Sequence, residues 1–113
     1  MSDKGYNGYS NYATWLVNLH LSNDEGTYNY VNELAQDAVD SAEPDKYNTK
    51  KENAIQILAD TLKDMIEEGN PLAEKASLYS DMLQAIIDEA DYYEIAELWL
   101  DDFEIAEDEE DEE

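Results

Sequence analysis

The chain contains no cysteine and no arginine. The first absence removes disulfides, thiol nucleophiles and cysteine-ligated zinc, and it leaves the redox compartment open. The second leaves six lysines and one histidine, His20, as the only basic side chains. Against them stand 30 Asp and Glu, for a net charge of −24 over 113 residues. Such a field excludes direct binding to nucleic acid or to an anionic membrane and favours basic partners. No stretch approaches the roughly 20 apolar residues of a membrane span. Met1 to Ser10 is polar, with no apolar signal core. The expectation is a cytoplasmic protein.

Signatures of catalysis are also missing. There is no Gly-rich phosphate loop and no HExxH pattern. Around Ser22–Thr27, Asp24, Glu25 and Gly26 lack the alternate-position register of a calcium loop. The carboxylates are too numerous to single out a pair for glycoside hydrolysis. Neither an enzyme, nor a metal site, nor a cofactor is expected. His20, between Leu19 and Leu21, reads as a partly buried structural residue.

What is present points to a folded domain. Hydrophobic residues make up 42 % of the chain and aromatics 11 %, more apolar content than charge-driven disorder shows. The length suits one small domain with a modest core. Apolar residues recur at helical spacing in five places. Tyr12, Trp15, Leu16 and Leu19 predict a short helix with Asn11 as its cap, ending near Ser22–Asn23. Tyr28, Val31, Leu34, Ala35, Ala38 and Ala42 predict a helix from Asp24 to Ala42, stopped by Glu43-Pro44. Ile55, Leu58, Leu62, Met65 and Ile66 predict one from Thr49 to Glu68, before Gly69. Asn70-Pro71 reads as a cap and first helical position, opening a fourth helix to Ala90. Its inner face would be Leu72, Ala76, Tyr79, Leu83, Ile86 and Ala90. A fifth, from Asp91 to Ala106, would dock through Tyr92, Ile95, Ala96, Trp99, Phe103 and Ala106. No Gly or Pro separates the last two, so one bent helix is an alternative. The fold class is thus all-α: a single bundle of four or five helices over 11–106, compact or elongated. A flexible arm (1–10) precedes it and an acidic tail (107–113) follows. Trp15 and Trp99 fall on apolar stripes and read as core. Tyr6, Tyr9 and Tyr12 lie in or beside the arm.

The acids form rows. Glu94, Glu97, Asp101, Glu104 and Asp108 step by three and four along the last predicted helix, on the face away from its apolar stripe. Like charges at this spacing destabilise a helix. Further rows are Glu33, Asp37 and Asp40; Asp60, Asp64 and Glu67; and Glu74, Asp81 and Asp88. Charge is also lopsided: residues 76–113 hold 16 acids and no base, whereas residues 1–75 hold 14 acids and all six lysines. Evenly spaced negative charge resembles a nucleic-acid backbone. Duplex DNA carries roughly one charge per 1.7 Å of axis, so the net charge matches about 40 Å of duplex, or roughly 12 base pairs.

Two resemblances accompany this pattern. Asn11-Tyr12-Ala13-Thr14-Trp15-Leu16-Val17, continuing through Asn23-Asp24-Glu25-Gly26 to Tyr28, resembles the N-terminal signature of small proteins encoded by phages and mobile elements. In size, helical pattern, acidity and the run Glu107–Glu113, the chain is similar to phage DNA-mimic antirestriction proteins of the Ocr type. That similarity implies an inhibitor that enters the basic DNA groove of a host defence nuclease, of restriction or CRISPR type. The partner-binding residues would be Glu94, Glu97, Asp101, Glu104 and Asp108, supported by Asp60, Asp64, Glu67, Asp81 and Asp88. A homodimer would lengthen the charged surface. Two alternatives stay open. One is an acidic module for another basic protein, such as a histone-like protein or polymerase subunit. The other is halophilic or solubilising acidity with an unrelated function, which predicts scattered acids rather than rows.

Overall fold

The computed structural model describes residues 8–101, with 103 and 105. Five helices follow in order: α1 Tyr12–Asn23, α2 Glu25–Ser41, α3 Lys50–Glu68, α4 Leu78–Glu89 and α5 Tyr92–Leu100. The fold is all-α, a small bundle with principal extents of 57 × 34 × 29 Å.

Side-chain caps set most of the helix starts. The Asn11 carboxamide accepts the Thr14 N–H at 2.8 Å. A single residue, Asp24, separates α1 from α2, and its carboxylate accepts the Thr27 N–H and hydroxyl, each at 2.9 Å. Those bonds to the ionised form hold the Asp24 carboxyl below its ordinary pKa. α3 opens on a reciprocal box: the Thr49 hydroxyl accepts the Glu52 N–H, while the Glu52 carboxylate accepts the Thr49 N–H. Between α2 and α3, the Asp45 carboxylate accepts the N–H groups of Tyr47 and Asn48. Lys50 Nζ and Asn53 Nδ2 donate to the carbonyls of Ala42 and Glu43, two groups just past the end of α2.

Two boundaries differ from expectation. α4 begins at Leu78, not Pro71. The Asn70 side chain does accept the Leu72 N–H at 2.8 Å, but it closes a local turn with no helix behind it. The working cap is Ser77, whose hydroxyl accepts the Ser80 N–H while Ser80 Oγ accepts the Ser77 N–H. α4 and α5 are separate helices, because Ala90 is extended and the Asp91 carboxylate caps α5 by accepting the Glu94 N–H. α5 stops at Leu100, well short of Ala106, and the Phe103 N–H then closes a tighter turn on the Leu100 carbonyl at 3.0 Å.

α3 is the central helix, packed chiefly on α5 and α2. The core joins Val31, Ala35 and Ala38 of α2, Ala54, Ile55, Leu58 and Leu62 of α3, and Ile95, Ala96 and Leu100 of α5. The alanines let these helix backbones approach closely. α1 adds Ala13, Leu21 and buried Thr14. The Thr14 hydroxyl accepts the Asp91 N–H at 2.8 Å and donates to Asn11 at 2.7 Å, tying the starts of α1 and α5 together. α4 is the most lightly anchored helix. Ile87 is buried, but Tyr79, expected on its inner face, is exposed, as are Leu78 and Met82. Tyr28 of α2 is likewise 44 % exposed rather than core. Tyr9 and Ser10, assigned above to a flexible arm, are tied down: Asn18 Nδ2 donates to the Tyr9 hydroxyl at 2.9 Å, and Ser10 binds Glu94.

Candidate acidic interaction surface

Helical geometry separates the carboxylates from the core. On α3 the buried set Ala54, Ile55, Leu58, Ala59 and Leu62 fills one side, and Asp60, Asp64 and Glu67 lie exposed on the opposite side. On α2 the buried set is Val31, Ala35, Ala38 and Val39, with Glu33, Asp37 and Asp40 exposed opposite. Asp81 and Asp88 of α4 and Glu97 of α5 are exposed, as is Asp101, which follows the last turn of α5. Glu74 lies in the turn before α4, not on it. Glu104, Asp108 and the tail 107–113 fall outside the described residues.

Glu94 is a correction. It is only 8 % exposed. Its two carboxylate oxygens accept the Ser10 N–H at 3.2 and 3.3 Å, and one also accepts the Ser10 hydroxyl. The helical period does place Glu94 in the acidic row, but the chain before α1 crosses over it. Among the described residues it is the one acidic side chain that is not exposed. Its role is to fasten the N-terminal segment to α5.

Three of the exposed aspartates share one device. Gln36 Nε2 donates to Asp40 at 3.0 Å, Gln56 Nε2 to Asp60 at 3.1 Å and Gln84 Nε2 to Asp88 at 3.0 Å, each pair four residues apart. A neutral amide orients the carboxylate without cancelling its charge. Carboxylates from different helices also act on shared tyrosines. Tyr92, buried with its hydroxyl donating to the Ile87 carbonyl at 2.8 Å, has its pKa pushed up to about 12 by burial, with help from Glu67 of α3 and Asp88 of α4. Tyr93 is raised by burial, by Glu97 on its own helix and by Glu52 of α3.

The arrangement works against helix stability. None of α2 to α5 has a basic residue in its last turn. Instead Asp40, Glu67, Glu68, Asp88 and Glu89 lie there, at the end of the helix dipole that disfavours negative charge. α1 differs from the other four, since it carries no Asp or Glu. Its His20 is exposed, at the edge of an apolar cavity lined by Leu16, Val17, Leu83 and Ile86, and not partly buried as expected. No lysine is buried among the described residues, and no group of three metal-ligating side chains converges among them. None of the described helices is long and apolar enough to cross a membrane.

Fold and surface together define a small five-helix domain with outward-facing carboxylates on four of its helices. The chain belongs to the family of unknown function DUF7249, whose model matches residues 2–111. No curated protein and no solved structure matches it.

Proposed function

We propose that the protein is a DNA-mimic inhibitor, encoded by a phage or mobile element and acting in the host cytoplasm. It occupies the basic DNA-binding groove of a host defence nuclease, of restriction or CRISPR type, and keeps DNA out. The observation that carries this reading is the outward set of carboxylates held on helices, from Asp60, Asp64 and Glu67 to Asp88 and Glu97, with Asp101 just past the end of α5. Carboxylates kept at helix C-termini, where they cost stability, support a use beyond solubility. The glutamine-held aspartates support pre-organisation, which lowers the cost of binding. Affinity would come from replacing phosphates at the lysines and arginines of the groove, with long-range steering on approach. Occlusion of this kind needs no catalytic group.

The test uses the intact protein as bait in an extract of the host. The proteins retained are identified and assayed for duplex binding. Retention of a DNA-binding nuclease that releases its duplex as the bait is added is the expected result. Retention only of proteins without affinity for nucleic acid would overturn the reading in favour of an ordinary acidic module.

A further inference from the structure

A second cavity, of about 230 Å³, opens between α1, α2 and α5. Its walls include Asn18, Ser22, Tyr28, Asn32, Leu98 and Trp99. The Tyr28 and Trp99 rings lie 5.3 Å apart between centroids, tilted by 47°. One wall is fixed by hydrogen bonds. Trp99 Nε1 donates to Asn18 Oδ1 at 2.6 Å, and Asn18 Nδ2 donates to the Tyr9 hydroxyl at 2.9 Å. The Ser22 hydroxyl donates back to the Asn18 carbonyl at 2.8 Å. Asn32, half-buried on α2, is different: its side-chain amide bonds to no other described residue. The cavity therefore offers two electron-rich ring faces and a free carboxamide, with no charged group among the described residues that line it.

Charge lies about one turn along the chain from two of the lining residues. Glu25 lies one helical turn before Tyr28, and Asp101 follows Leu98 by three residues, its N–H bonded to the Leu98 carbonyl. Both acids are exposed. An anion is repelled here, and a neutral sugar or base gains nothing from the surrounding field. A planar cation gains on every count. A guanidinium stacks on aromatic faces, donates to an amide oxygen, and is desolvated more easily than an ammonium.

We propose that this cavity receives an arginine side chain of the basic partner. The guanidinium stacks against Tyr28 and Trp99 and donates to Asn32 Oδ1, and the aliphatic stem lies along Leu98. This rests on the proposed function, which supplies a basic partner. It adds a central anchor to a surface that otherwise acts through diffuse charge, as buried arginine contacts do at other interfaces.

The experiment reads the cavity without the partner. N-acetyl-arginine methylamide is titrated into the full chain and followed by the Trp99 indole and Asn32 carboxamide NMR signals. The lysine analogue, adenosine and glucose are run at matched ionic strength. Saturable millimolar binding of the arginine amide is expected, roughly five-fold tighter than the lysine amide and lost in Asn32→Leu and Tyr28→Ala. Equal response to arginine and lysine, or tighter binding of adenosine or glucose, would overturn the inference. If Tyr28→Ala fails to fold, Asn32→Leu decides alone. Partner capture separates this inference from the one it rests on. DNA-competable capture that Asn32→Leu leaves intact defeats the cavity alone. Arginine binding without DNA-competable capture defeats the mimic reading alone.

Discussion

Glu94 and Glu97 are the same residue type, three positions apart on α5, yet one is 8 % exposed and the other lies on the surface. Their alanine variants should diverge. Glu94→Ala removes the charged acceptor that the Ser10 N–H and hydroxyl share and leaves those donors to water. Hydrogen bonds to a charged acceptor contribute about 1.5–3 kcal/mol. The N–H contacts are long, at 3.2 and 3.3 Å, so the low end applies, about 2 kcal/mol in all. With an m-value of about 2 kcal/mol/M, the urea midpoint should fall by about 1 M. Glu97→Ala removes a solvated charge and should move stability by no more than about 0.5 kcal/mol. A double-mutant cycle with Ser10→Ala should return a coupling of about 1 kcal/mol for Glu94 and none for Glu97. The assay is urea unfolding followed by circular dichroism. Equal midpoints for the two single variants, or no coupling to Ser10, would refute the assignment of Glu94 to the scaffold.

Other consequences follow from the same geometry. Thr14→Val keeps the shape of a fully buried side chain but leaves the Asp91 N–H without its acceptor; it should cost about 2 kcal/mol, read by thermal unfolding. Tyr92 titrates near 12 in the fold against 10.0 ordinarily. A raised folded pKa means its contribution is intact below pH 10 and is lost as pH climbs towards 12, by up to about 1.4 kcal/mol per pH unit. Tyr92→Phe should flatten that alkaline loss, and absorbance near 295 nm should show one tyrosine ionising late. Salt should stabilise the free protein: going from about 10 mM to 0.15 M shortens the screening length from about 30 Å to 8 Å. The melting temperature should rise by several degrees, and a flat profile would contradict self-repulsion among the rows.

α3 was legible because two local signals agree there: the stripe from Ile55 to Ile66, and Gly69. The Asn11 cap was equally readable, whereas Asp24, expected as the first residue of α2, is its cap. Asn70-Pro71 misled because a turn and a helix start use the same Asn contact; only the helix after Ser77, marked by Ser80, has apolar residues that bury. The fifth stripe ran on through Phe103, which does pack on the core, although the backbone leaves the helix at Leu100. Glu94 was beyond reach of periodicity. Its burial comes from Ser10, 84 positions earlier, a contact that no helical spacing encodes. The cavity beside Trp99 was hidden for the same reason, since its walls come from three separate helices.

The most direct measurement is displacement. A defence nuclease captured by this protein is challenged with a duplex of about 12 base pairs or longer, and the concentration that releases half of it is recorded across a salt series. Competitive release is predicted, together with affinity for the protein that falls steeply and log-linearly with salt, and weaker capture when Asp60, Asp64, Glu67, Glu97 and Asp101 become their amides. A ternary complex in which nuclease, DNA and this protein coexist would contradict the central claim.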